Sequence, residues 1–204
     1  ELGGDLPPTK WVARVETTRR QRPKEDPNKV YKVDVAGSIA RGPENAPVTL
    51  VEFTAFQCGY CARSQATITQ ILDSYPGQVQ HVVKYKPLRD PKAAIASLAA
   101  ERQGKYWEYR NLLFANQRAI NDANLRAWAT QVGLDLERFE TDRTDPVLAA
   151  TISQDSKQAA SLGVSGTPTF FINGKKLVGA QPYENFKKVI DAQLSASGDQ
   201  PAAS

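Results

Sequence analysis

The sequence predicts an α/β fold in which a parallel sheet is interrupted by a block of helices. Three observations support it: a dense apolar and β-branched run at residues 48–53, helical periodicity after residue 61, and helical patterning across residues 90–143. With 204 residues and 41% hydrophobic content, the chain is long enough for one buried core with an insertion.

The first predicted strand is residues 30–35, where apolar and polar side chains alternate as in a half-buried strand. Residues 37–47 are rich in turn formers and are predicted to be a connection. Residues 48–53 are then expected to form a central strand covered on both faces, in which Glu52 is the only charged residue.

A helix is predicted after the central strand and before Pro76. Its apolar positions follow the i, i+3, i+4, i+7 spacing of one helix face and are Ile68, Ile71, Leu72 and Tyr75. Residues 79–85 return to strand character. Since strand–helix–strand crossovers are right-handed, the two strands are expected to be parallel neighbours.

Residues 90–143 are predicted to form a helical insert that divides one domain into residues 30–89 and 144–204. Aromatic residues at helical spacing are more often core than ligand contacts, so those of the insert are interpreted mainly as core. They are Tyr106, Trp107, Phe114, Trp128 and Phe139.

The C-terminal part is predicted to contain a helix over residues 146–162, two short strands and a closing helix. The strands, residues 169–172 and 175–178, flank Asn173-Gly174, a pair that favours a type I′ hairpin turn. Residues 195–204 are predicted to be a frayed tail.

The charge of the chain is concentrated at its N-terminus. The formal net charge is +4, and residues 10–29 hold seven basic and three acidic residues, which accounts for all of it. We interpret residues 1–29 as a basic extension, either a solvated tether or a short surface helix, and expect no nucleic-acid binding. Oligomerisation through this extension is an open alternative.

Cys58 and Cys61 are the only cysteines, and they form a Cys-x-x-Cys pair. Two thiols at this spacing indicate redox chemistry, since one can attack a disulfide and the other can resolve it. A zinc site needs four ligands, and His81 is the only histidine available; a purely structural disulfide is a further alternative. His81 is predicted to be a surface residue.

Three motifs together resemble the DsbA-like branch of the thioredoxin superfamily. They are Val51-Glu52-Phe53 upstream of the cysteines, residues 104–108 (GKYWE) inside the insert, and Gly166-Thr167-Pro168 before the hairpin. The resemblance covers roughly residues 30–195. It implies a thioredoxin fold with an inserted helical subdomain, and a thiol-disulfide oxidoreductase acting outside the bacterial cytoplasm.

The cysteine roles have a physical basis. Cys58 is predicted at a helix N-terminus, where the partial positive charge and free N–H groups lower a cysteine pKa from its usual value of about 8.5. Cys58 is therefore expected to attack, and the more buried Cys61 to resolve the mixed disulfide. Gly59 is expected to permit a tight helix start, and Tyr60 to place a ring beside the pair.

The resemblance assigns further residues. Thr167-Pro168, preceded by Gly166, matches the loop that carries a cis peptide bond facing the disulfide and binds a substrate strand through the backbone of Thr167. Glu52 matches a buried acid beneath the cysteines and Lys84 its basic partner. A raised pKa would let Glu52 take the proton of Cys61.

The favoured function is oxidation of secreted or envelope proteins, with a membrane partner that regenerates the disulfide. The Gly59-Tyr60 dipeptide also occurs in bacterial disulfide isomerases, so an isomerase or reductase stays an alternative; a peptide-binding holdase or an oligomeric adaptor are alternatives of another class. The Cys58–Cys61 disulfide is the only redox group expected, with no metal or other cofactor. We expect a periplasmic or otherwise extracytoplasmic protein whose signal peptide has been removed.

Overall fold

The computed structural model describes residues 29–198, and its centre is a five-stranded mixed sheet. The predicted basic extension therefore lies almost wholly outside the described residues. In chain order the strands are β1 (Ile39–Arg41), β2 (Val48–Thr54), β3 (Val79–Tyr85), β4 (Thr169–Ile172) and β5 (Lys175–Val178). Their spatial order is β1-β3-β2-β4-β5, which places β2 at the centre.

The predicted parallel pair is confirmed, since β2 runs parallel to β3 in a register that sets Glu52 opposite Val83. The other neighbouring pairs are antiparallel. Both central strands are buried along nearly their whole length, because helices cover the two faces of the sheet.

Seven α-helices surround the sheet in the described part of the chain. They are α1 (Gly59–Ser74), α2 (Lys92–Glu101), α3 (Tyr106–Ala115), α4 (Asp122–Gln131), α5 (Leu136–Thr144), α6 (Pro146–Ser161) and α7 (Tyr183–Gly198), with a short 3-10 helix at Gln117–Ala119. Asn121, Asp135 and Asp145 cap the N-termini of α4, α5 and α6 by accepting a backbone N–H. Helix α7 continues through residues 195–198, so this part of the predicted frayed tail is helical.

The two faces of the sheet carry different layers. Side chains alternate along a strand, so Leu50, Glu52 and Thr54 lie on one face, with α1, α7 and the helical insert. Val51 and Phe53 lie on the other face, in a cluster with residues of α6. We call these the insert face and the α6 face.

The insert is joined to the sheet by a buried hydrogen-bonded group. The hydroxyl of Tyr85 lies 2.8 Å from Ser97 Oγ on α2 and donates to the hydroxyl of Tyr106 on α3 at 2.8 Å. The aromatic residues of the insert are core, as predicted: Tyr106, Phe114, Trp128 and Phe139 are buried, and Trp107 packs partly buried against them.

The prediction of a strand at residues 30–35 is wrong. The segment is extended and keeps the predicted alternation of exposure, but it forms no ladder; the first strand is β1, inside the stretch predicted to be turns. The outer edge of β3 is occupied by β1. Tyr31, Val33 and Val35 instead pack over the α6 face, where the ring of Tyr31 meets Phe171 edge-on at 5.4 Å.

The predicted hairpin turn at Asn173-Gly174 is confirmed by positive φ values of 45° and 81°. Gly174 is also required by space, since a Cβ there would collide with the backbone carbonyl of Tyr31. The amide of Tyr31 donates to the carbonyl of Gly174 at 2.9 Å. The turn thus holds the extended N-terminal segment against the sheet.

Candidate active site

Cys58 is the N-cap residue of α1, directly after the loop that leaves the central strand β2. Its amide donates to the carbonyl of Ala55 at 3.1 Å, and its carbonyl accepts the first helical bond from Ala62 at 3.2 Å. Both cysteines are free thiols, and the Cys58 thiol donates to the carbonyl of Thr167 at 3.2 Å. The structure therefore brings the cysteine pair and the Thr167-Pro168 loop together.

The pKa of Cys58 lies below its ordinary value. Burial alone would raise it, but hydrogen bonds from the Thr167 side chain and from the backbone amides of Cys61 and Tyr60 outweigh that effect. The buried Thr167 hydroxyl has no competing hydrogen-bond partner within residues 29–198, so it is free to donate to a Cys58 thiolate. The N-terminus of α1 thus favours the charged form of Cys58, as the sequence predicted.

Cys61 is the more enclosed of the two cysteines, with 0% of its surface exposed against 7% for Cys58. Its pKa is raised to about 12, first because burial disfavours the thiolate and also because the charge of Glu52 repels it, while Thr54 acts in the opposite direction. At neutral pH the pair therefore holds one activated thiol and one firmly protonated thiol.

The dipeptide between the cysteines faces outward. Gly59 is the first residue of α1, has no positive φ, and has no atom within 4 Å of where a Cβ would lie, so neither the backbone nor the available space requires glycine here. Tyr60 is 59% exposed and its ring lies 4.2 Å from the guanidinium of Arg63. Tyr60 is thus available to a docked molecule.

The Thr167–Pro168 peptide bond is cis. Gly166 precedes it and accepts a bond from the hydroxyl of Thr169 at 2.8 Å, and the carbonyl of Pro168 accepts the amide of Gly179 at 2.9 Å. These contacts fix the loop beside Cys58.

Glu52 is fully buried on the insert face and is held by three donors. Arg110 of α3 donates to Oε2 at 2.7 Å, His81 of β3 lies 3.0 Å from the same oxygen, and Gln65 of α1 donates to Oε1 at 3.2 Å. Gln65 also donates to the carbonyl of Cys61 at 2.8 Å and accepts from Arg110. This group, which we call the Glu52 network, lies beneath the resolving cysteine.

The expectation of a raised pKa for Glu52 is wrong. Burial raises it, but the charge of Arg110 and the hydrogen bond and charge of His81 outweigh burial and lower the pKa to about 2. The carboxylate is therefore ionised at neutral pH. It acts on Cys61 as a fixed negative charge and is poorly suited to exchange a proton with it.

The assignment of Lys84 as the partner of Glu52 is also wrong. In the β2–β3 register Lys84 pairs with Phe53, so its side chain lies on the α6 face, away from Glu52. There its ammonium group binds Asp155 of α6 at 2.9 Å. The second oxygen of Asp155 accepts the amide of Tyr85 at 2.9 Å, and burial raises the pKa of Asp155 despite these bonds.

His81 is fully buried, contrary to the surface position predicted for it. Its Nδ1 accepts from Arg41 at 3.3 Å, so Nε2 carries the proton and donates to Glu52. Burial lowers the pKa of His81 to about 4, so the ring is neutral at neutral pH. The alternation of β3 was a usable signal, because residue 81 shares a face with Val83 and Tyr85.

Gln117, in the 3-10 helix of the insert, contacts the active-site loop directly. Its side-chain amide donates to the carbonyl of Phe56 at 2.5 Å and to that of Cys58 at 2.9 Å. Nothing in the sequence pointed to Gln117 or Arg110, since each reaches the site from a distant helical segment. The insert thus supplies two polar side chains to the region around the cysteines.

A family model described as Thioredoxin matches residues 34–192, which is most of the chain. The chain belongs to the thioredoxin family. A solved thioredoxin-like oxidoreductase from Silicibacter pomeroyi DSS-3 is 28% identical, with a TM-score of 0.70 over 78% of this chain and 92% of that chain. The predicted thioredoxin fold with a helical insertion is confirmed.

Two further solved structures share the fold of this chain. The thiol-disulfide exchange protein alpha-DsbA2 from Wolbachia pipientis has a TM-score of 0.71 and 24% identity, covering 76% of this chain and 86% of that chain. BdbD from Bacillus subtilis has a TM-score of 0.73 and 20% identity, covering 81% and 97%. Both likenesses are of fold, in line with the predicted thioredoxin fold.

Curated sequence relatives carry a different name. A protein named Na(+)/H(+) antiporter NhaA 3 from Salinispora tropica is 40% identical over 169 residues, and an NhaA protein from Herminiimonas arsenicoxydans is 33% identical over 166. The matches cover 80% of this chain in both cases, but only 25% and 27% of those proteins. The chain thus spans about a quarter of the length of these relatives. No helix within residues 29–198 has the length and apolar character needed to cross a membrane.

Proposed function

We propose that this protein is a dithiol oxidase that passes its Cys58–Cys61 disulfide to protein substrates through a mixed disulfide at Cys58. The observation that carries this is the opposite displacement of the two cysteine pKa values, lowered for Cys58 and raised for Cys61. A stabilised thiolate in the reduced protein makes the disulfide more oxidising and makes Cys58 a good leaving group.

The proposed reaction has two exchange steps. A substrate thiolate attacks Sγ of Cys58, the Cys58–Cys61 bond breaks, and Cys61 leaves with the electron pair and takes a proton. A second substrate thiolate then attacks the substrate sulfur of the mixed disulfide, and Cys58 leaves as a thiolate. The substrate loses two electrons and gains a disulfide, while the protein ends as a dithiol with Cys58 charged.

The surroundings support a separate role for each neighbour. The backbone of Thr167 faces Cys58, so an extended substrate segment that pairs with it would bring its sulfur to Cys58. Burial, together with the charge of Glu52 held ionised by Arg110, keeps Cys61 protonated after the first step. This favours release of substrate over reversal, because only a deprotonated Cys61 attacks the mixed disulfide.

The proposed setting is extracytoplasmic and bacterial, with reduced secreted or envelope proteins as substrates. After each cycle the dithiol needs an acceptor for two electrons, and a membrane redox partner would fill that role. The DsbA-like fold supports this setting. We carry no transport activity over from the antiporter names, because the matched part is a quarter of those proteins.

The test combines a reduction potential with the Cys58 pKa, measured by thiolate absorbance, and an oxidation assay on a reduced peptide. We expect a potential well above the value of about −270 mV typical of thioredoxin, and a Cys58 pKa below about 8.5. Cys58→Ser should abolish peptide oxidation, whereas Cys61→Ser should accumulate a mixed disulfide in the presence of oxidised peptide. Wild-type activity in Cys58→Ser would disprove the mechanism.

The alternative direction is that of an isomerase or reductase, and the Gly59-Tyr60 dipeptide favours it. Both require a donor that keeps the pair reduced, and a reductase predicts a potential close to that of thioredoxin. Since about 30 mV corresponds to a tenfold change in the exchange constant, the same measurement separates an oxidase from a reductase, whereas repair of a peptide with mispaired disulfides identifies an isomerase.

A further inference from the structure

Three exposed arginines lie on three segments that contact the Cys58 loop, each through its own side chain or through a neighbouring residue. Arg63 lies on α1 and stacks on Tyr60, the residue between the cysteines. Arg118 follows Gln117, whose amide binds the carbonyl of Cys58. Arg89 precedes Asp90, whose carbonyl accepts the side-chain amide of Gln57, the neighbour of Cys58. We call Arg63, Arg89 and Arg118 the arginine rim.

The charge of the rim is not compensated within residues 29–198. None of the three guanidinium groups has a carboxylate within ion-pair distance, and all three side chains are exposed. The nearest acid in sequence is Asp90, whose carboxylate lies 3.9 Å from the ammonium group of Lys92. The segments that contact the Cys58 loop therefore carry three exposed positive charges without an ion-pair partner in this part of the chain.

The opposite side of Cys58 has a different character. Residues 163–169 and 178–182, joined by the bond from Gly179 to Pro168, contain no charged side chain. A molecule that docks at Cys58 can thus contact an uncharged backbone edge at Thr167 and, on other segments around the Cys58 loop, cationic side chains.

We propose that this surface selects polypeptide substrates with Asp or Glu close to the reacting cysteine. The inference rests on the proposed disulfide exchange and adds a substrate class to it. The substrate backbone lies along Thr167, and its carboxylates lie against the arginine rim. Complementary charges raise the rate of encounter and fix the orientation of docking, and salt weakens both effects.

The test uses two synthetic peptides of equal length, each with two cysteines, one flanked by glutamates and the other by lysines. Their oxidation by the disulfide form of the full chain is followed at low and at high ionic strength. Each rate is divided by the rate at which the same peptide reduces hydroxyethyl disulfide, an uncharged reagent, which corrects for intrinsic thiol reactivity. We expect the acidic peptide to react about threefold to tenfold faster at low salt, and the preference to shrink at high salt.

A charge-matched pair of variants identifies the surface. The triple variant Arg63→Gln, Arg89→Gln, Arg118→Gln should bring the ratio of the two peptide rates close to one. The control variant Lys32→Gln, Lys157→Gln, Lys188→Gln loses the same three charges from exposed positions on other elements and should keep the preference. A change in the Cys58 pKa would alter both peptide rates alike, so the ratio reports docking.

The outcomes separate the two proposals. Equal normalised rates for the two peptides, or an equal loss of preference in both triple variants, would overturn the arginine rim as a selectivity surface. In that case, if the wild-type disulfide still oxidises dithiothreitol, an uncharged dithiol, the proposed disulfide exchange remains supported. If dithiothreitol is not oxidised either, both proposals fail.

Discussion

The two faces of the central sheet each bury a charged group next to β3, and the two groups differ in what lies above them. On the insert face, Glu52 is held by Arg110 and His81 directly beneath Cys61. On the α6 face, Lys84 binds Asp155 with no cysteine nearby. The same strands thus carry one charge cluster that acts on the redox pair and one that joins a helix to the sheet.

Removal of Arg110 should have the largest effect. Arg110→Met leaves the Glu52 carboxylate buried without its cationic partner, which should cost about 3–5 kcal/mol of unfolding free energy. It should also raise the pKa of Glu52 and shift the reduction potential of the cysteine pair. Urea unfolding of the dithiol form and equilibration with glutathione measure the two effects.

The matched control for Arg110→Met is the double variant Glu52→Gln, Arg110→Met. It removes the uncompensated Glu52 carboxylate and should recover much of the lost stability. A loss below about 1 kcal/mol in Arg110→Met alone would show that water or another group compensates Glu52.

Removal of Lys84 should destabilise the protein without changing its chemistry. Lys84→Met leaves Asp155 with the amide of Tyr85 as its remaining partner, so we expect a loss of about 2–3 kcal/mol. Lys84→Met with Asp155→Asn should recover most of it, because the amide oxygen still accepts from Tyr85. A shift in reduction potential in either variant would contradict the contrast between the faces.

The pH dependence of stability should have opposite signs for the two faces. His81 has its pKa lowered from 6.5 to about 4, so the unfolded chain binds the proton first and stability falls as the pH drops through that interval. We expect a loss of about 3 kcal/mol from His81. Glu52 adds a further loss between pH 4.5 and about 2.

Asp155 acts in the other sense. Its pKa is raised from 3.8, so the folded protein binds the proton more readily and this group costs stability as the pH rises.

The contribution of His81 is measured by urea unfolding from neutral to acidic pH. The slope of stability against pH between pH 6.5 and 4 should be shallower in His81→Asn than in the wild type. An unchanged slope would mean that His81 is protonated in the folded state.

Gln117 should give the smallest effect and the most local one. Gln117→Leu removes both bonds to the active-site loop and should cost about 1 kcal/mol. The carbonyl of Phe56 then loses this donor and that of Cys58 keeps only the amide of Ala62, so we expect the Cys58 pKa to rise. Gln154→Leu, at an exposed position of α6, is the control and should leave that pKa unchanged.

The local hydrophobic pattern of the sequence predicted most of the fold. The wrongly predicted strand at residues 30–35 has a physical explanation. Residues 30–35 keep the alternation of a strand, yet they lie over a sheet face, where alternation also serves packing. Periodicity reports which side chains are buried, and it does not report whether the backbone pairs with a neighbour.

The cysteines and the Thr167-Pro168 loop were predicted because the residues that define each motif lie within a few positions of one another in the sequence. The partners of Glu52 were not, because Arg110 is 58 residues away in sequence and register decides on which face Lys84 lies. A charged residue in an apolar strand indicates that a partner is needed, but only the fold shows which residue that partner is.

The bond from Arg110 to Glu52 has a consequence for protein engineering. Family members with different inserts invite the construction of chimeras in which one helical block replaces another. Here such an exchange would also remove Arg110, the cation that neutralises Glu52 on the central strand. The incoming block therefore needs a basic side chain at the matching position, or Glu52 must be changed as well. The insert and the central strand should therefore be transplanted as a pair.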